Sequence, residues 1–199
     1  MRLKLYTALL SSTFLLSACR GGTTQPPANA NAAATPAATA KEEHGMTLKL
    51  TSTAFNEGGA IPARHTCDGE NVSPPLAWEG VPEGTKTLAL VADDPDAPRG
   101  TWVHWVVYRI PANVRALPEN LPARETLDDG TRQGTNDFQK PGYGGPCPPN
   151  GTHRYYFKLY ALDTDPDLPP AATRDQLLKA LDTHILAQGE LMGRYTRSK

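Results

Sequence analysis

The apolar positions of this chain fall into short dense runs separated by proline and glycine, and only one stretch repeats with a helical period. Residues 86–92 carry Leu88, Ala89, Leu90, Val91 and Ala92 without a polar interruption, a pattern that predicts a strand buried on both faces. Residues 101–110 and 154–162 are rich in aromatic and β-branched side chains and predict two more strands, while 46–53 alternates weakly and predicts a fourth. Between them lie breakers: Ser73-Pro74-Pro75, the run from Asp94 to Pro98, and residues 141–151. One helix is well signalled. Thr173 can cap it, Gln176 occupies the capping-box position, and Leu177, Leu178, Leu181 and Ile185 recur on one face before Gly189, which reads as the stop. His184 then falls in the last turn, near the negative end of the helix dipole. A short final strand is expected over 191–196. With 19 prolines, 17 glycines and no internal repeat, the core is expected to be mainly β.

The N-terminal residues change the picture from a free domain to a tethered one. Residues 1–18 have a basic start (Arg2, Lys4), an apolar stretch from Leu5 to Leu16 and small residues before Cys19, the pattern of a secretory signal too short to span a bilayer. Leu16-Ser17-Ala18-Cys19 resembles the lipobox of bacterial lipoproteins, in which the cysteine is acylated. The alternative is an ordinary signal with Cys19 incidental. Residues 19–45 are dominated by Ala, Thr, Pro, Asn and Gln and predict a disordered linker, which as a coil would reach roughly 25–30 Å. Residues 46–199 have the composition and length of one domain. The expected location is the cell envelope, lipid-anchored and extracytoplasmic. Arg20, where an inner-membrane retention aspartate would stand, tilts the expectation toward an outer membrane.

Charge and cysteine content narrow the function classes. Beyond the signal there are 18 basic and 21 acidic residues, a balance of −3, so no basic field exists to hold nucleic acid. Cys67 and Cys147 form an even pair in a chain that has left the reducing cytosol, which favours a disulfide worth about 4 kcal/mol in the chain-entropy model; two free thiols are the alternative. No zinc spacing accompanies them. The Asp-rich loop is not an EF-hand, because Pro95 and Pro98 interrupt it and Trp105 stands where the last glutamate would be. No cofactor motif is present.

Strand alternation gathers the candidate chemistry. In 101–110 it predicts Trp102 and His104 on one face, with Val103 and Trp105 on the other. His153 and Tyr155 share a face in the next strand, opposite Arg154. With Asp94 at the head of a proline loop, two imidazoles, a carboxylate and an indole can meet at one sheet end. Imidazoles beside a carboxylate or an anion favour the charged form, so both histidines are expected to donate to an oxyanion.

The strings Asp94-Pro95-Asp96-Ala97-Pro98, Trp102-x-His104-Trp105 and Gly145-Pro146-x-Pro148-Pro149-x-Gly151-x-His153-Arg154-Tyr155 resemble the two signature regions of the phosphatidylethanolamine-binding protein family. Cys67-Asp68-Gly69-Glu70-Asn71-x-Ser73-Pro74-Pro75-Leu76-x-Trp78 is similar to its bacterial, Raf-kinase-inhibitor-like branch. The resemblance implies an antiparallel β-sandwich with a helix near the C-terminus. It also implies a pocket for phosphate, acetate or a phospholipid headgroup, formed by Asp94, Trp102, His104, Pro146, His153 and Tyr155, with Asp96 organising the loop against Arg154. Two other function classes stay open. A protein-interaction or inhibitor module, alone or as a homodimer, would use a surface outside the pocket. A phosphate or ester hydrolase, with or without a metal on two His and one Asp, would use the pocket itself, although no G-x-S-x-G, P-loop or H-E-x-x-H string is present.

Overall fold

In the computed structural model, which describes residues 46–197, the strand over 86–92 becomes β4, Thr87–Asp94, and every residue in it is buried. Its two faces enter different cores, which is why the run lacks polar interruptions. Leu88, Leu90 and Ala92 face a second sheet, and Ala89 and Val91 face the helix. The expected signal peptide (1–18), lipidation at Cys19 and linker (19–45) lie outside the described residues.

β4 pairs antiparallel with β5 (Trp102–Pro111) on one side and with β8 (Thr152–Leu162) on the other. The sheet continues through β9 (Ile185–Thr196) to β1 (Met46–Thr47), and beyond β5 to β7 (Arg132–Gln133), in the order β1-β9-β8-β4-β5-β7. Only the β1–β9 pairing is parallel among the described pairs. A smaller antiparallel sheet of β2 (Lys49–Thr51), β3 (Leu76–Glu79) and β6 (Ala116–Leu117) covers one face. Leu50, Leu76, Trp78 and Leu117 from that sheet pack against Leu90, Trp105, Phe157 and Leu159. The helix α1, Arg174–Leu181, covers the other face with Leu177 and Leu181.

The strand expected over 46–53 is divided: β1 and β2 belong to different sheets, and buried Leu48 lies at the crossing. The capping box forms as expected, with the Thr173 side chain accepting from Gln176 N and the Gln176 side chain from Thr173 N. The helix, however, stops at Leu181. His184 N donates to Leu181 O, and His184 Nδ1 lies 2.8 Å from Asp163 Oδ1, so this histidine locks a turn rather than facing the helix dipole. From Ile185 onward the chain is strand β9, longer than the expected 191–196, and Gly189 lies inside it. The glycine there serves a close approach: a Cβ would sit 2.1 Å from the carbonyl oxygen of Leu48. β9 is also protected on its outer edge, by β1 at one end and by Gly58 N→Met192 O, Arg194 N→Gly59 O and Ile61 N→Arg194 O at the other.

Simple alternation fails in β5. Ala92 faces Trp105 while Asp93 faces Val103, so His104 is an extra residue in a β-bulge. Val103 therefore joins the helix-side core and Trp105 the inter-sheet core, contrary to the expectation that the two share a face. A second bulge follows at Tyr108 and Arg109, where Arg109 has φ 56°.

Gly189→Ala is expected to lower the thermal midpoint by about 2–12 °C, because overpacking against backbone costs about 1–3 kcal/mol and a domain of this size shifts by about 2–4 °C per kcal/mol. A melting curve indistinguishable from the parent would contradict the crossing at Leu48.

Candidate functional site

At the end of the large sheet where β4 finishes and β5 and β8 begin, a cleft of about 460 Å³ opens, lined by Asp94, Ala97, Pro98, Arg99, Trp102, His104, Phe138, Cys147, Pro148, Pro149 and His153. Four of the residues expected from sequence, Asp94, Trp102, His104 and His153, are brought together there. The bulge places His104 beside Trp102 on the cleft side despite the broken alternation.

Two expected residues do not line the cleft. Pro146 lies in its supporting wall, where its carbonyl accepts from Cys67 N. Tyr155, 2% exposed, sits one layer deeper on β8: its ring meets His104 edge-on at 5.2 Å and stacks with His153 at 6.5 Å. Its hydroxyl is buried and has no hydrogen-bond partner among the described residues. Burial first, and then the nearby Asp94 carboxylate, pushes that phenol up, so it stays protonated.

Asp94 is held from both sides. Its Oδ2 accepts from His153 Nδ1–H at 2.8 Å, and its Oδ1 accepts from Asp96 N at 2.8 Å. Asp96 in turn accepts from Arg154 Nε at 2.9 Å and Nη2 at 2.6 Å, and from Arg154 N at 2.9 Å. Those bonds hold the Asp96 carboxyl down at about 2, from an ordinary value of 3.8. Asp96 thus organises the proline loop against Arg154 and stands outside the cleft lining.

His104 Nδ1–H donates to Gly144 O at 2.5 Å, a partner that can only accept. Both imidazoles therefore spend Nδ1 on the protein, which leaves Nε2 as the ring nitrogen available to a ligand. Burial pushes the His104 pKa below its ordinary value, against the opposing pull of the Gly144 carbonyl, Asp94 and Asp137. In the cleft without a ligand this leaves its Nε2 an acceptor at neutral pH.

The walls are fixed by local chemistry. Asn136 Oδ1 accepts from Phe138 N and its Nδ2 donates to Gly142 O, shaping the loop that carries Phe138. Phe138, 39% exposed, meets Trp102 and His104 edge-on, and a Cβ on Gly144 would strike its ring at 2.5 Å. Opposite, Cys67 and Cys147 form a disulfide with Cα atoms 5.4 Å apart, and Gly145 N→Asn71 Oδ1 and Tyr143 Oη→His65 O tie the same two segments. Sequence reasoning did not find Phe138, Arg99, or the proline wall as cleft-lining groups. Arg99 directly follows the Asp94–Pro98 string, a signal that could have been used, whereas no strand pattern or fixed spacing links Phe138 to the other residues. Among the described residues no group of three or more His, Cys, Asp and Glu side chains is arranged to hold a metal ion, and no helix is long and apolar enough to cross a membrane.

Asp96→Asn is expected to lower the thermal midpoint at pH 7. Because the folded-state carboxyl is depressed, its contribution is full above about 3.8 and is lost as pH falls toward about 2. The gap between variant and parent should therefore close across that window in pH-dependent melting, and a gap independent of pH would exclude the Arg154 pairing as its source.

The family model described as phosphatidylethanolamine-binding protein matches residues 51–196. A "UPF0098 protein" of Methanothermobacter thermautotrophicus is 53% identical over 150 residues, covering 75% of this chain and 99% of the relative. A "UPF0098 protein" of Aquifex aeolicus is 47% identical over 156 residues, covering 77% and 91%. Among solved structures, a phosphatidylethanolamine-binding protein homolog of Chlamydia trachomatis is 41% identical with a TM-score of 0.71, and YbcL of E. coli is 37% identical with a TM-score of 0.70; each comparison covers 76% of this chain and 99% of the other. With the paired imidazoles and the proline-walled cleft at one sheet end, these similarities establish that the chain belongs to the phosphatidylethanolamine-binding protein family.

Proposed function

We propose that this protein binds a small oxyanion, as free phosphate or carboxylate or as a phospholipid headgroup, in the cleft between β4, β5 and β8. The observation that carries the reading is the pair of imidazoles, His104 and His153, that line one cleft with Nδ1 committed to protein oxygens. His153, whose Nδ1 lies 2.8 Å from Asp94 Oδ2, turns its Nε2 toward the anion and donates to it when protonated. His104, its pKa lowered by burial, presents an Nε2 that accepts from a donor of the same ligand while the ring is neutral. A hydrogen phosphate supplies such a donor directly, and a zwitterionic headgroup supplies one to the same nitrogen through its ammonium group. Among the described residues the lining contains no serine, threonine or free thiol to act as nucleophile, since Cys147 is bonded to Cys67, which favours binding over hydrolysis. The domain does this work outside the cytoplasm, held to a membrane by lipidated Cys19 through residues 19–45.

Titration of inorganic phosphate and acetate should move the His104 and His153 imidazole NMR signals, and phosphate affinity should rise as pH falls from 8 to 5.5. His153→Ala should weaken phosphate binding about tenfold or more, the loss of a charge-assisted hydrogen bond. Silence of both rings at millimolar ligand at either pH would remove the anion reading.

The tether has its own test. The full chain should fractionate with membranes and be released only by detergent, while Cys19→Ser should appear in the soluble fraction. Identical fractionation of the two would exclude acylation as the anchor.

A further inference from the structure

The charges lining the cleft do not favour an anion without help. Asp94 is acidic, and burial disfavours the charged form of His104. Proline, alanine and aromatic side chains supply most of the rest. Among the described residues, one permanent cation lines the cleft: Arg99.

Among the described residues, Arg99 is also committed to no partner. Arg64, Arg109, Arg154 and Arg174 each hold a carboxylate, whereas no ion pair or side-chain hydrogen bond engages Arg99 among the described residues. Its position is set by the same bonds that build the floor. Asp94 Oδ1 accepts from Asp96 N, Asp96 is forked by Arg154, and Gly100 N closes the turn on Ala97 O at 3.2 Å. Gly100 has φ +105° with open space where a Cβ would be, so glycine is required there by backbone conformation and not by crowding. The turn that carries Arg99 is thus fastened to the carboxylate that holds His153.

We infer that Arg99 is the anion-clamping, specificity-determining residue of this cleft, gripping with its guanidinium fork the oxygens of a phosphoryl or carboxylate group whose remaining oxygens face His104 and His153. A guanidinium offers two parallel N–H bonds to such a group and keeps its charge at every physiological pH. The inference rests on the anion-binding reading above and adds the group that makes it work at neutral pH. It selects ligands with at least two oxygens to share between the cleft mouth and the imidazoles, and it excludes neutral isosteres. Phosphoryl chemistry of this kind comes from a soluble phosphomonoester or from a lipid headgroup, and Arg99 engages the oxygens common to both.

The test measures the affinity of the full chain, its Arg99→Gln and Arg99→Lys variants and His153→Ala for three ligands: inorganic phosphate, glycerol 3-phosphate, and a short-chain phosphatidylethanolamine below its micelle concentration. Each is titrated at pH 7.5 in 20 mM and 300 mM salt. Arg99→Gln should lose about tenfold or more for every ligand that the parent binds and should flatten the salt dependence. Arg99→Lys should recover part of the affinity, and the melting temperature should not move, because Arg99 is exposed and unpaired within the described fold. A preference for the soluble ester over the lipid, or the reverse, names the source. Parent binding that Arg99→Gln leaves intact, while His153→Ala abolishes it, overturns the role of Arg99 alone. Failure of the parent to bind any of the three overturns Arg99 and the anion reading together.

Discussion

Two adjacent carboxylates at the end of a strand buried on both faces must each be neutralised, and the sheet allows it only in opposite directions. Asp93, 1% exposed, turns toward the helix side, where Lys158 Nζ approaches both its oxygens at 2.9 and 3.1 Å and Arg174 Nε lies at 3.2 Å. Asp94 turns toward the cleft and takes His153 and the Asp96 amide. Leaving either charge buried and unpaired would cost about 3–5 kcal/mol. The first pairing pins the start of α1 to the sheet, and the second sets the orientation of an imidazole. Structural cohesion and ligand chemistry therefore diverge from a single peptide unit.

The bulge at His104 belongs to the same geometry. With Asp93 opposite Val103 and Ala92 opposite Trp105, the extra residue lets Val103 fill the helix-side core and Trp105 the inter-sheet core. His104 is free to turn into the cleft because the ladder makes no demand on its facing position. Its Nδ1 finds Gly144 O, and Gly144 is a residue whose missing Cβ also lets Phe138 lie against the same ring. One loop thereby fixes both the tautomer of the imidazole and the apolar roof over it.

What could be read from the chain was what local chemistry dictates. β4 was legible because burial on two sides leaves an unbroken apolar run, and the start of α1 because Thr173 and Gln176 cap each other within one turn. The end of α1 was not legible. Gly189 looks like a stop, and only the distant carbonyl of Leu48 reveals why a glycine stands in a strand. The bulge was equally hidden, since it exists only as a register between two strands. Asp94, Trp102, His104 and His153 were found as members of residue strings, and those strings cover the strand ends that meet at the cleft. Phe138 and Arg99 lie on loops whose approach to the cleft is a property of the assembled fold, and Tyr155 was placed on the right face of its strand but one layer too shallow.

The parallel pairing of β1 with β9 joins the first described strand to the last. β9 also completes the long antiparallel pairing with β8, and its outer edge is closed by residues near the N-terminal end of the domain. A nascent chain emerging from its N-terminus cannot satisfy β1, or the crossing of Leu48 over Gly189, until about 140 residues later. Folding is thus deferred to the end of synthesis. An unfinished chain lacks its closing strand, and the cleft comes into being only once the whole domain has been made.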